Sequence, residues 1–250
     1  MEDTNPKSKS TVHLVLDLDH TLMTDINIGD ALRIALSEEE HAIAEVMSVD
    51  LQIKRLAIAG VVPDAVSDNT LIFMRPGLDA FISNALNRFA EVAIWSKAGA
   101  DWLELALETT PLSNYRHRFS FIWDGSRCTE LRSRIEGGGI YTEHLGYTKS
   151  LHKVWRATRL RQQGWLRNTT VILDDDPDGD NFVRNYSNGI KMPPFDAEEH
   201  IKNLVAHSVG DGVIHIDSWL PAVTQYFTSE VLDWDDVRPP EKRWWHLRYL

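Results

Sequence analysis

The chain has 250 residues, 43% apolar and 25% charged, with a formal net charge of −11 and a single cysteine, Cys128. That length fits one domain, with or without a sizeable insertion, and the charge argues against a general affinity for nucleic acid or an anionic membrane. The lone cysteine excludes an internal disulfide framework, and no apolar run approaches the roughly 20 residues that a membrane-spanning helix needs.

The polar start, Met1 to Thr11, has no apolar signal core, so the expected location is intracellular, cytoplasmic or nuclear. Two glycosylation sequons, at Asn168 and Asn185, then read as chance matches. From Thr11 to Leu18 the sequence TVHLVLDL is a β-branched, apolar run that ends in aspartates. Such a run predicts a central strand buried on both faces. Comparable runs follow at Val92–Trp95, Thr170–Leu173 and Val213–Ile216, separated by helical spacing at Leu78–Phe89, Ala100–Leu107, Ser150–Gln163 and Trp219–Phe227. Strand alternating with helix predicts an α/β fold, a Rossmann-like parallel sheet with helices on both faces. Residues just after each strand are then the ones placed to bind a ligand.

One stretch breaks the alternation. Residues Ile28 to Ala59 are mostly helix-forming, and Gly60–Thr70 reads as a loop. Together they predict a mostly helical, cap-like insertion over residues 25–70, after the first strand. A basic group, Arg156, Arg159, Arg161 and Arg167, reads as a solvated helix face. From residue 231 a tail rich in aromatics, with Trp234, Trp244, Trp245 and Tyr249, follows. Self-packing is the expected role of this tail, with a protein partner as the alternative.

The chemistry begins at Asp17-Leu18-Asp19-His20-Thr21-Leu22. Two carboxylates where a buried strand ends demand a cation or a proton. One can attack an electrophile while the other handles a proton; the bland alternative is two surface aspartates in a loop. A second acidic cluster follows another strand, Asp174-Asp175-Asp176-Pro177-Asp178-Gly179-Asp180. If the two strands are neighbours, their ends make one pocket for a hard divalent cation, for which Mg²⁺ is suited. Asp174, Asp176, Asp178 and Gly179 also match half of a calcium loop, but its twelfth position is Asn185 and strand, not helix, precedes it. Cys128 and Arg134 match the spacing of cysteine-dependent phosphatases, without a glycine between them to cradle phosphate.

These motifs resemble those of the haloacid dehalogenase superfamily of phosphotransferases, and within it the phosphatases of the RNA polymerase II C-terminal domain. Asp17 to Leu22 resembles the first motif, D-x-D-x-T, and Arg75-Pro76-Gly77-Leu78 with Phe81 resembles that branch's R-P-G-L-x-x-F. Ile94-Trp95-Ser96, Lys149-Ser150-Leu151 and Asp174-Asp175 resemble the second, third and fourth motifs. The stretch from Asp174 through Asn181-Phe182, Asn188 to Lys191 and Pro194-Phe195 is most similar to ubiquitin-like-domain-containing, proteasome-associated members, although no such domain is expected before Thr11.

The resemblance implies roles. Asp17 would be the nucleophile and Asp19 the acid/base. Mg²⁺ would be held by Asp17, the backbone carbonyl of Asp19 and Asp175. Ser96, Lys149 and Thr21 would bind the substrate phosphate, with Thr21 also bonding locally to shape the loop, and Asp174 would orient Lys149. The expected partner is a phosphorylated protein. Two alternatives stand beside it: a small phosphomonoester under a closing insertion, and a phosphatase-like binding protein without turnover.

Overall fold

A computed structural model describes residues 9–134, 142–175, 185, 187–210, 217–240, 242 and 245–249. Its main sheet is built from β1 (His13–Leu16), β5 (Val92–Trp95), β6 (Ile122–Trp123), β9 (Thr170–Asp174) and β10 (Gly189–Lys191), in the spatial order β10-β9-β1-β5-β6. Every neighbouring pair is parallel. β1 is central and buried at all four positions, so its sequence has no reason to alternate.

Successive side chains of β1 still go to opposite faces. Leu14 and Leu16 enter the larger core with Phe81 and Ile82 of α4 (Leu78–Arg88) and Val223 and Phe227 of the helix Trp219–Ser229. Val15 enters a second core with Trp95, Val154, Leu160 and Trp165. The expected α/β architecture is therefore present, with helices covering both faces.

Three local departures have physical reasons. The helix expected over Ser150–Gln163 is split into α6 (His152–Arg156) and α7 (Thr158–Gln162) by Ala157, whose ψ is 111°. The break lets Val154 and Leu160 both reach the second core. Gly60–Thr70, read as a loop, contains β3 (Ala65–Ser67), which pairs with β4 (Thr70–Met74). Three residues, Ala-Val-Ser, are too few to show a period. β4 also pairs antiparallel with β2 (Met23–Asn27), making a second sheet ordered β2-β4-β3. The strand expected at Val213–Ile216 lies outside the described residues, as do Asp176, Asp178, Asn181, Phe182 and Trp244.

Helices α1 (Ile28–Ala35), α2 (Glu38–Glu45) and α3 (Val49–Ile58) lie between β2 and β3. Asn27 caps α1 by accepting from Gly29 N, and Ser37 with Glu40 forms a reciprocal capping box on α2. Ile28, Leu32, Ala44 and Leu56 pack with Leu71 and Phe73 of β4 and with Phe195 and Ile201, giving these helices their own core beside the main sheet.

In the tail, Trp245 is fully buried, stacks on Tyr226 at 5.4 Å and donates from Nε1 to Lys191 O at 2.9 Å. This part of the tail packs on the domain itself.

Candidate active site

Register brings the site together. Leu16 pairs with Ile94 on one side and Leu173 on the other, so the three central strands run out at one level. Asp17 follows β1, Ser96 follows β5, and Asp174 closes β9 with Asp175 next. They share the carboxyl edge of the sheet, where ligands of open parallel sheets collect.

Lys149 arrives from a different unit, the antiparallel hairpin of β7 (Thr129–Arg134) and β8 (Thr142–Thr148). Its Nζ donates to Asp174 Oδ2 at 3.0 Å and to Asp17 Oδ1. All three residues are buried. Burial pushes the Asp17 carboxyl well above its ordinary range; Lys149 pulls it down, and Asp174 and Asp175 push it further up. Burial also raises Asp175. Burial alone would lower Lys149, but Asp17 and Asp174 outweigh it and hold the ammonium above the ordinary lysine range. The ammonium is therefore charged at neutral pH.

Asp17, Asp174 and Asp175 each offer a carboxylate oxygen, all within 4.8 Å of one another. Among the described residues the donors gathered here are carboxylate oxygens, which suit a hard cation such as Mg²⁺. The donor set fits that ion.

Asp19 is arranged differently. In a continuing strand its side chain would point the same way as that of Asp17. Instead the chain turns: Leu22 N donates to Leu18 O at 2.8 Å, His20 N donates to Met23 O at 2.7 Å, and His20 takes φ 58°. The Asp19 carboxylate then accepts from Ser96 Oγ at 2.6 Å on Oδ2 and from Trp102 Nε1 at 2.9 Å on Oδ1. It stands apart from the carboxylate cluster, which leaves only its backbone carbonyl as the expected metal ligand.

Thr21 is fully buried, and its hydroxyl lies 3.0 Å from Asp17 Oδ2 and 3.2 Å from Asp175 Oδ1. The hydroxyls expected to face a phosphate are thus occupied, Ser96 by Asp19 and Thr21 by the two acidic residues. A cleft of about 410 Å³ opens over Asp17, Asp19, His20, Lys97, Lys149 and Asp175. Cys128 Sγ lies 4.0 Å from Ser96 O, but burial pushes its thiol up, away from the thiolate that a nucleophile needs.

Three supporting residues were given no role from sequence. Trp102, on α5 (Ala100–Thr109), reads there only as an aromatic on a helical pattern. Asn185 reads there as a sequon and as the twelfth place of the calcium-loop match, yet it is buried, donates to Lys149 O at 2.6 Å and accepts from Leu151 N at 3.2 Å, fixing the backbone directly after the lysine. Arg75 reads as part of a motif; its Nη1 donates to Thr21 O and Pro193 O, and its Nε to Asp217 Oδ2 at 2.9 Å. Gly77, two residues on, has φ 84°, a conformation that favours glycine at this entry to α4. Only the assembled site reveals what these residues hold.

The family model for the NLI interacting factor-like phosphatases matches residues 12–209, which spans β1, Asp17, Lys149 and Asp175. The chain belongs to the NLI interacting factor-like phosphatase family. The resemblance read from its motifs is borne out at that level. Among curated proteins it is similar to ubiquitin-like domain-containing CTD phosphatase 1 of Xenopus laevis, 27% identical over 71% of this chain and 48% of the relative. The Homo sapiens protein of the same name is 26% identical over the same shares. The chain therefore spans about half the length of the curated relatives it matches. Among solved structures, Fcp1, an RNA polymerase II CTD phosphatase, overlays with a TM-score of 0.47 at 14% identity, covering 87% of this chain and 61% of that one. Within this NLI interacting factor-like chain, no helix among the described residues is long and apolar enough to cross a membrane.

Proposed function

We propose that this chain is a Mg²⁺-dependent phosphomonoester hydrolase that works through an aspartyl-phosphate on Asp17, with phosphoserine or phosphothreonine of a protein as substrate. The observation that carries the reading is the division of labour between the two aspartates. Asp17 lies against Lys149 in the carboxylate cluster, and Asp19 is held apart from it by Ser96 and Trp102.

The buried Asp17 carboxylate attacks phosphorus in line with the leaving oxygen. Asp19 gives that oxygen a proton, then takes one from the water that hydrolyses the acyl phosphate. Lys149 neutralises charge on the transferring group, and Asp174 holds it in place. Ser96 and Thr21 supply hydroxyls that can turn towards the phosphoryl oxygens. Asp17, Asp175 and the Asp19 carbonyl would hold Mg²⁺, which when bound offsets the repulsion between an anionic phosphate and this acidic cluster.

A protein substrate is favoured over a small one by what lines the cleft. Among the described residues its walls come from the loops after β1 and β5, the end of β9 with Asp175, and Lys149, with no residue of Ile28–Ala59 among them. Residues 25–70 read in this way as a flanking insertion, and the domain as one phosphatase unit with an intracellular location.

The test is hydrolysis of p-nitrophenyl phosphate and of a phosphoserine peptide, with Mg²⁺, with EDTA, and by Asp17→Asn. Turnover of both that needs the metal and Asp17 supports the reading. Hydrolysis of the small ester alone favours a metabolite phosphatase. No turnover of either by the folded wild type favours the binding-protein alternative.

A further inference from the structure

We propose that Trp102 is a positioning residue for Asp19, and that its indole N–H decides which carboxylate oxygen hands a proton to the leaving group; this rests on the phosphatase reading above. Each Asp19 oxygen has one donor, Trp102 Nε1 at 2.9 Å on Oδ1 and Ser96 Oγ at 2.6 Å on Oδ2. The two donors are chemically unequal. A serine hydroxyl rotates, and can accept as well as donate, whereas an indole N–H only donates.

Oδ1 is therefore the better acceptor of the two in both states of Asp19, because a proton there would weaken its bond to the indole N–H, which has no other role to turn to. A proton on Oδ2 needs only that the Ser96 hydroxyl turn. Ser96 is suited to this because Ala98 N, at 2.8 Å, donates to its oxygen and holds that oxygen in place while the hydrogen swings. Trp102 thus confines the transferable proton to Oδ2 and fixes the plane of the carboxylate.

In the transfer step the Oδ2–H bond breaks and its proton joins the leaving oxygen, as the P–O bond to that oxygen breaks and the Asp17 O–P bond forms. A leaving group that is a poor base, such as nitrophenolate, needs little of this help. A serine alkoxide needs all of it. The Trp102 ring also packs against the larger core, so phenylalanine keeps the packing and removes the N–H.

The test compares kcat/KM, which reports the steps up to release of the leaving group, for both substrates with Mg²⁺ in wild type, Trp102→Phe, Asp19→Asn and the double variant. Trp102→Phe is expected to lose about ten-fold on the phosphoserine peptide and about two-fold or less on p-nitrophenyl phosphate. It should add no further loss in the Asp19→Asn background, because its effect runs through that carboxylate. Equal losses on both substrates, or the same loss with and without Asp19, would overturn the role and leave a packing residue. If Trp102→Phe melts, benzothienylalanine at position 102 keeps the bicyclic shape with sulfur in place of N–H, and the same two outcomes decide. A wild type without turnover sinks both readings. A wild type with turnover and a non-selective variant sinks this one alone.

Discussion

Arg75 Nη1 donates to the carbonyl oxygen of Thr21 at 3.0 Å, tying the residue after β4 to the loop that carries Asp17 and Asp19. The same guanidinium binds Pro193 O and Asp217, so one buried side chain joins three separate chain segments. Arg75→Met would leave the half-buried Asp217 carboxylate and both carbonyls without this donor. Breaking a buried pair on one side costs about 3–5 kcal/mol. Urea unfolding should show that loss. Activity should fall as well, because Thr21 would lose the anchor of its backbone.

Lys149 lies between Asp17 and Asp174 with almost no solvent contact. Lys149→Met should abolish turnover and remove the ammonium that Asp17 and Asp174 share. Stability should fall most at neutral pH and recover as the medium is acidified, because the carboxyls then take up protons. Melting temperature followed from pH 7.5 to 5 checks this. A variant as stable as wild type across that range would contradict the assignment.

Thr21 shows what a hydroxyl contributes where both neighbours are acids. Thr21→Val keeps the shape and removes the hydrogen bonds to Asp17 and Asp175. Hydrogen bonds to charged groups contribute about 1.5–3 kcal/mol. A fall in kcat of about ten-fold or more, with little change in far-ultraviolet circular dichroism, is the expected result.

His13 is buried, donates from Nε2 to Gln163 O at 3.0 Å, and packs on Trp165. Burial lowers its pKa in the folded chain. As pH falls below about 6.5 the unfolded chain takes up the proton first, so this group's contribution to stability is lost on acidification. His200 is lowered by burial too and acts in the same sense. The raised Asp17 and Asp175 act in the opposite sense. A difference measurement isolates the histidine: the gap in melting temperature between wild type and His13→Gln should shift in favour of the variant from pH 7.5 to pH 5.5.

Trp245 ties the tail to the sheet edge through Lys191 O and to the core through Tyr226. Trp245→Ala should destabilise the domain by about 3–5 kcal/mol, the usual cost of emptying a buried tryptophan site. Loss of binding to a partner with unchanged stability would instead support the partner role for this tail.

The sequence by itself determined the α/β alternation, the central position of β1 and the acidic strand ends. Those features follow from local rules: a strand covered on both faces is apolar throughout, and carboxylates at its end need a cation. The motif carried by Asp17, Asp19, Ser96, Lys149 and Asp174-Asp175 also marked the family. Tertiary structure alone decided where the side chains point. Asp17 and Asp19, two residues apart, serve different neighbours because the loop turns at His20. Trp102, Asn185 and Arg75 gain their roles from partners 83, 36 and 54 residues away. No local pattern encodes such contacts. They depend on strand register and on which turn of a helix meets the sheet edge. The antiparallel β2-β4-β3 sheet escaped the sequence for the related reason that its short strands acquire their identity only by pairing with one another.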